Sequence, residues 1–343
     1  MPRLPSIADL VAFLRGFLSG PARTRPAYQP EPVLPSLTPA PARAARSAPV
    51  AIHTRGLTKF YGKVRGIEDL NLEVGAGEIF GFLGPNGAGK TTTLRLLLDF
   101  IHPTRGHAFV LGQETHAHSL ELRRRIGYLP GETALYEEMT GHELLSLLSR
   151  LHGGNHEPRR QALAKRLDID LSRPLRGLSH GMKQKVSIIA AFQHDPELVL
   201  LDEPTLGLDP LVQREFYDLL REEQAQGKTF LMSSHILPEV ERVCDRVGIV
   251  RAGRLVAVEE IADLRHKKVR RMEVTFAAEV ASSSLQVEGV DLLRQNGRVF
   301  ELAVHGNVDA LVKHLARFPI ADLEFPEATL EDTFLQYYGG DAQ

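Results

Sequence analysis

Ile79-Phe80-Gly81-Phe82-Leu83-Gly84-Pro85-Asn86-Gly87-Ala88-Gly89-Lys90-Thr91-Thr92-Thr93-Leu94 is the stretch on which the fold turns. Ile79 to Leu83 is a short apolar run suited to a buried strand, and it stops at a glycine-rich turn. A helical pattern begins directly after Lys90, with Leu94, Leu97 and Leu98 on one face. Glycines let successive backbone N–H groups converge on anionic oxygens, and the following helix N-terminus adds its positive dipole end. Lys90 places an ammonium on the β- and γ-phosphates of such an anion, and the Thr91 hydroxyl can ligate Mg²⁺. Every fixed position of G-x-x-x-x-G-K-[ST] is filled in the strand–loop–helix context the motif requires. The stretch is a phosphate cradle, predicted to take a nucleoside triphosphate.

The rest of the composition narrows the setting. At 343 residues the chain suits one large and one small domain. Its net charge of −2 supplies no general argument for a nucleic-acid partner. Cys244 is the single cysteine, which excludes an intrachain disulfide and fits a reducing cytoplasm. No apolar run approaches the ~18 residues needed to span a bilayer, so any membrane-spanning part must come from another chain.

Residues 1–50 differ from the remainder: they hold 10 of the 21 prolines, and six arginines against Asp9 and Glu31. Most of this arm is expected to be disordered. Its start is an exception, since Ile7, Leu10, Val11, Leu14, Phe17 and Leu18 fall on one helical face, predicting a helix over 6–18. That helix is either a dispensable extension or a docking element for a partner or membrane surface. From Ile52 the pattern is strand-like to Leu57, then Lys59-Phe60-Tyr61-Gly62, then a strand around Leu70 to Val74. Tyr61 is either sheet packing or a base-stacking platform. The pattern between Glu132 and Pro174 is helical, predicting an insert over about 132–178. The main domain should close near residue 265. A basic run, His266 to Arg271, reads as a linker to a small α+β domain over 270–340, whose last helix starts at a capping box of Thr329 and Asp332.

Further motifs complete the chemistry. Leu198 to Leu201 is long enough for a buried strand of a parallel sheet, and it ends in Asp202-Glu203. Desolvated carboxylates are costly unless a metal or hydrogen bonds offset them, which places Asp202 near Mg²⁺ and Glu203 near an attacking water. His235 follows another sheet strand, Thr229 to Met232, and so falls at the carboxyl edge where open α/β sheets bind ligands. Ser179 reads as the N-cap of a helix, with Gly181 leaving N–H groups outward as a second anion site.

Together these residues resemble the nucleotide-binding subunit of an ABC transporter, over roughly residues 52 to 265. Gly84 to Thr92 looks like Walker A, Leu198 to Glu203 like Walker B with its catalytic glutamate, and Leu178 to Met182 like the family signature. Leu208-Asp209 resembles the D-loop, and His235 the switch histidine. The single nucleotide domain and a tail ending Leu330-Glu-Asp-Thr-Phe334 are similar to the ABC-2, drug-resistance type of exporter ATPase. The resemblance implies a P-loop α/β ATPase, catalysis by Glu203, His235 and Lys90, and Mg²⁺ held by Thr91 and Asp202. It implies an ATP sandwich of two such subunits, two copies of this chain. In that sandwich Gly84, Pro85, Asn86, Gly87, Ala88, Gly89, Lys90, Thr91 and Thr92 of one subunit hold ATP, Tyr61 stacks on adenine, and Ser179, Gly181 and Asp209 close from the other. Separate membrane permease chains would carry the substrate outward, with the ATPase on the inner face of the cell membrane.

Two positions depart from that pattern. His180 stands where the signature has its second glycine, and Pro130-Gly131-Glu132 stands where the family has its loop glutamine. Glu132 either replaces the missing Mg²⁺ ligand or simply starts the following helix, where an acid suits the dipole. The rival functions are a soluble ABC ATPase acting on ribosomes or DNA, and a poorly hydrolysing regulatory module.

Overall fold

The computed structural model describes residues 49–325 apart from 133–134, 267–269, 286 and 305–307. The expected helix over 6–18 and the Thr329 capping box with the Leu330–Phe334 tail lie outside the described residues.

The first strand is longer than its apolar pattern indicates. β1 (Val50–Tyr61) continues past Leu57 because a left-handed Gly56 (φ 56°) absorbs the irregularity, and Lys59, Phe60 and Tyr61 go on pairing with β2 (Val64–Leu70). The strand expected from Leu70 to Val74 is interrupted: Asp69 is left-handed (φ 51°), and the exposed Asn71 accepts from Gly56 N at 2.8 Å through its Oδ1. Pairing resumes at β3 (Glu73–Gly75), which like β2 runs antiparallel to β1. The chain then enters β4 (Ile79–Leu83) and α1 (Lys90–Leu97), the strand and helix predicted around the cradle. β5 (Arg105–Val110) and β6 (Gln113–Glu114) complete the β1 sheet.

α2 (Ser119–Arg125) leads into β7 (Ile126–Leu129). The helical insert is two helices, α3 (Gly141–His152) and α4 (Glu157–Arg166). A capping box starts α3, with Thr140 Oγ1 accepting from Glu143 N and Glu143 Oε2 accepting from Thr140 N at 2.8 Å. Then come α5 (His180–Phe192), β8 (Leu198–Asp202), α6 (Pro210–Ala225), β9 (Thr229–Ser234), α7 (Leu237–Val243), β10 (Arg246–Arg251) and β11 (Arg254–Glu260).

What positions the site is the six-stranded sheet, ordered β11-β10-β4-β9-β8-β7. All its pairs are parallel except the β10–β11 hairpin. Residues of β4, β8 and β9 are buried throughout, and the two-residue period sends alternate side chains to opposite faces. Ile79, Leu83, Val199, Leu201, Phe230 and Met232 enter one core with the insert. Phe80, Phe82, Leu198, Leu200 and Leu231 enter the other, beneath α1 and the β1 sheet. Register aligns Leu83 with Ser234, Asp202 with Ser233 and Leu129 with Leu201. The residues that follow these strands, Gly84, Glu203, His235 and Pro130, are therefore delivered to one edge.

α8 (Ile261–His266) extends to His266, and β12 (Arg270–Phe276) begins with Arg270 and Arg271. The described residues of the basic run expected as a linker, His266, Arg270 and Arg271, thus belong to regular structure, and Arg271 pairs with Glu301 at 2.9 Å. β13 (Val290–Asn296), β14 (Val299–Val304), α9 (Val308–Leu315) and β15 (Ile320–Glu324) complete a small α+β unit. Its antiparallel sheet, β13-β14-β12-β15, has its own core, in which Phe276 meets Phe300 edge-on at 5.2 Å.

Candidate active site

The turn after β4 is shaped by steric exclusion. A Cβ on Gly84 would lie 2.3 Å from Val250 O, and one on Gly89 would lie 2.6 Å from Gly66 O at a backbone φ of 103°. Only glycine fits either position. The loop is anchored from outside by Gly84 N donating to Ser234 O and Gly253 N donating to Ala88 O. Gly89 is the N-cap of α1 and offers no side-chain cap, so the first N–H groups of that helix are available to an anion. Pro85, Asn86, Gly87, Ala88, Gly89, Lys90, Thr91 and Thr92 line a cavity of about 330 Å³ together with Tyr61, Val64, Arg65, Gly66 and Glu203. Tyr61 is 47% exposed at the end of β1, with the Lys59 ammonium 5.3 Å from its ring centre. It pairs with Val64 in the sheet and also lines the cavity.

Lys90 and the acids form one connected set. Lys90 is buried, its Nζ donating to Gly84 O at 2.7 Å and lying 3.1 Å from Glu203 Oε1. The other Glu203 oxygen is 2.8 Å from His235 Nδ1. One carboxylate therefore bridges the cradle lysine and the histidine at the end of β9. Glu203 has a left-handed backbone (φ 48°), held by its N–H donating to Ser233 O and Oγ. Such a conformation in a non-glycine residue costs on the order of 1–3 kcal/mol and persists only when its surroundings fix it. Asp202 is 3% exposed, and Ser233 Oγ donates to its Oδ1 at 2.6 Å. A Cβ on Gly131 would sit 3.6 Å from Asp202 Oδ2, so the 130–132 loop passes directly over the buried carboxylate. Burial first, and the Asp202 charge second, push the Tyr128 phenol up to about 12, which keeps this ring neutral beside the acid.

Glu132 is exposed and follows Gly131, where the loop comes close to Asp202. Ser179, Gly181 and Asp209 do not line the cavity. Ser179 caps α5 by accepting from Met182 N, and Asp209 caps α6 by accepting from Leu211 and Val212 N. His180 packs its ring against the Cα of Gly207, and a Cβ on Gly181 would lie 2.8 Å from Gly207 O. The His180 side chain is thus directed into the 207–209 loop, which ties the start of α5 to the loop before α6. Val64, Arg65, Gly66 and Ser233 were not singled out by the sequence, for they belong to no spacing motif. The hairpin of β1 and β2 carries the first three over the cradle, and strand register brings Ser233 beside Asp202.

Comparison with known proteins bears on this arrangement. Residues 67–206 match the family described as ABC transporter. The chain is 34% identical over 314 residues to the bacitracin transport ATP-binding protein BcrA of Bacillus licheniformis, covering 84% of this chain and 97% of the relative. A solved ATP-binding subunit of an ABC transporter superposes with a TM-score of 0.60 at 34% identity, over 63% of this chain and 92% of that one. A dimeric ATP-binding cassette in a post-hydrolysis state with ADP and phosphate shares the fold at 23% identity and a TM-score of 0.57, over 61% of this chain and 98% of that one.

Proposed function

The chain belongs to the ABC transporter family as an ATP-binding, ATP-hydrolysing subunit, and from that membership we propose that two copies close on two ATP molecules to drive export through separate membrane permease chains. No helix among the described residues is long and apolar enough to cross a membrane; in this reading the permease chains supply the conducting path. The observation that carries the reading is the bridge of Lys90, Glu203 and His235 at the mouth of the phosphate cradle. ATP hydrolysis by the purified chain, stimulated by reconstitution with its permease, tests it; an equal rate with and without the permease would favour a soluble role.

The bridge suggests how binding arms the base. A γ-phosphate on the cradle competes with Glu203 Oε1 for the Lys90 ammonium, and its higher charge wins. Glu203 Oε1 is then free to take a proton from water as the water oxygen bonds the γ-phosphorus and the bond to the β-phosphate oxygen breaks. His235 holds the other carboxylate oxygen and faces the same phosphate. Ser179 and Gly181 of the second subunit close on that phosphate, Asp209 lies across the dimer seam, and Tyr61 carries the adenine. The buried Asp202 and the Thr91 hydroxyl are hard oxygen donors suited to Mg²⁺, which when bound would neutralise charge on the phosphates. Glu132 is the third candidate oxygen for that cation.

Glu132→Ala should lower hydrolysis severalfold in the permease-coupled complex and raise the Mg²⁺ concentration for half-maximal rate. The basis is that the 130–132 loop runs close to Asp202, where a Cβ added at Gly131 would lie 3.6 Å from Oδ2. Steady-state rates over a Mg²⁺ titration check this; wild-type values for both would remove Glu132 from the cation site, and it does not start the following helix either, since that helix begins at Gly141 with Thr140 as its cap.

The arm lies outside every nucleotide motif. Deleting residues 1–48 spares Pro49, whose carbonyl accepts from Ala76 N, and should leave ATP affinity and turnover within about twofold. A titration of the truncated chain that found no ATP binding would place the arm in the catalytic domain.

A further inference from the structure

The far end of α1 carries a second cluster that the nucleotide chemistry does not use. Asp99, His102 and His116 each present a ligand atom, and the three atoms lie within 4.8 Å of one another. Both histidines aim at one oxygen: His102 Nδ1 is 3.2 Å from Asp99 Oδ1, and His116 Nδ1 is 3.1 Å from the same atom. Their rings cross edge-on with centres 4.6 Å apart. Neutral rings satisfy this pattern only if both adopt the Nδ1–H tautomer, and two imidazolium ions would repel at that spacing. The carboxylate is nearly buried, its side chain 11% exposed, whereas the rings are 67% and 69% exposed and free to turn.

The position of Asp99 is costly in two ways. Phe100 N donates to Arg95 O and Asp99 N to Leu96 O, the paired bonds of a helix end whose left-handed residue is usually glycine. Asp99 occupies that left-handed place (φ 54°), and its negative charge sits at the negative end of the helix dipole. A divalent cation offsets the second cost and accounts for the first, because glycine has no carboxylate to offer it.

We propose that Asp99, His102 and His116 form a binding site for a borderline divalent transition metal of the Zn²⁺ type. Zinc takes imidazole nitrogen at ~2.0–2.1 Å and carboxylate oxygen at ~2.0–2.2 Å, which sets neighbouring ligand atoms about 3.4 Å apart in a tetrahedron. The two observed nitrogen–oxygen separations are close to that value, and the exposed rings need only rotate for the nitrogen–nitrogen edge to close. Two imidazoles and one carboxylate select Zn²⁺, Ni²⁺ or Cu²⁺ over Mg²⁺. The ion would fasten the turn after α1 to the turn after β6. Lys59 Nζ donates to His102 O at 2.7 Å and already fixes the backbone of the first turn.

The test is Zn²⁺ uptake by the full chain without nucleotide, measured by competition with a chromophoric chelator, beside the thermal midpoint with and without Zn²⁺. Wild type should bind one equivalent more than His116→Ala or Asp99→Gly, and its midpoint alone should rise on adding Zn²⁺. Asp99→Gly suits the left-handed backbone, so without metal it should melt no lower than wild type, which separates loss of the site from loss of fold. Lys90→Ala should bind Zn²⁺ as wild type does, since the cradle is a different site. Equal Zn²⁺ stoichiometry and affinity in wild type, His116→Ala and Asp99→Gly would overturn the proposal, as would a wild-type chain that binds none.

Discussion

Glu203→Gln is expected to retain ATP and Mg²⁺ while hydrolysing roughly 10²- to 10⁴-fold more slowly, the usual contribution of a positioned general base. The amide has the shape of the carboxylate and can still receive the His235 side chain, but it has no basic oxygen to take the proton. Glutamine also inherits the left-handed backbone (φ 48°) and the two Ser233 contacts to its N–H, so the geometry of the loop should persist. Single-turnover hydrolysis of radiolabelled ATP, with equilibrium binding measured on the same preparation, separates chemistry from affinity. A variant that binds ATP and turns it over at the wild-type rate would remove Glu203 from the role of base.

Lys90→Ala is expected to weaken ATP binding by about 1.5–3 kcal/mol, roughly 10- to 150-fold, the range for a hydrogen bond to a charged partner. The loss is larger than for a surface lysine because Lys90 is 6% exposed and its ammonium is held by Gly84 O and Glu203. Removing it also leaves the Glu203 carboxylate facing the phosphates without its cation, which adds repulsion to the lost contact. Calorimetric titration with ATP measures the affinity, and a thermal midpoint within a few degrees of wild type would show that the helix survives. Unchanged affinity would contradict the cradle assignment.

The parts of the site legible in the sequence are those where chemistry restricts residue type at fixed spacing. The cradle is one, because Gly84 and Gly89 have no room for a side chain and Lys90 and Thr91 must follow at once. Asp202 and Glu203 are another, since a fully buried strand ending in two acids has few structural excuses. His235 was placed by the strand before it, and the parallel register puts it opposite the others. Contacts that depend on how distant segments meet left no such trace. Val64, Arg65 and Gly66 reach the cavity because a hairpin folds over it. His180 lies against Gly207, 27 positions later in the chain, through loop packing that no periodicity records. Among the helices, α2, α7 and α8 are six or seven residues long, too short to establish a 3.6-residue pattern. Their formation is decided by the sheet they cover. Gly56 shows the opposite limit: a single left-handed residue let a strand continue where its apolar alternation had lapsed.

The central claim is that ATP closes two copies of the chain face to face, with Ser179 of each completing the site of the other. Sedimentation velocity of the Glu203→Gln chain, run without nucleotide, with ATP and Mg²⁺, and again after adding Ser179→Arg, tests it most directly. The account predicts a monomer alone, a dimer with ATP, and a monomer again when Ser179 is replaced by the bulky cation. A Glu203→Gln chain that binds ATP and stays monomeric at all protein concentrations, or a dimer indifferent to Ser179→Arg, would contradict it.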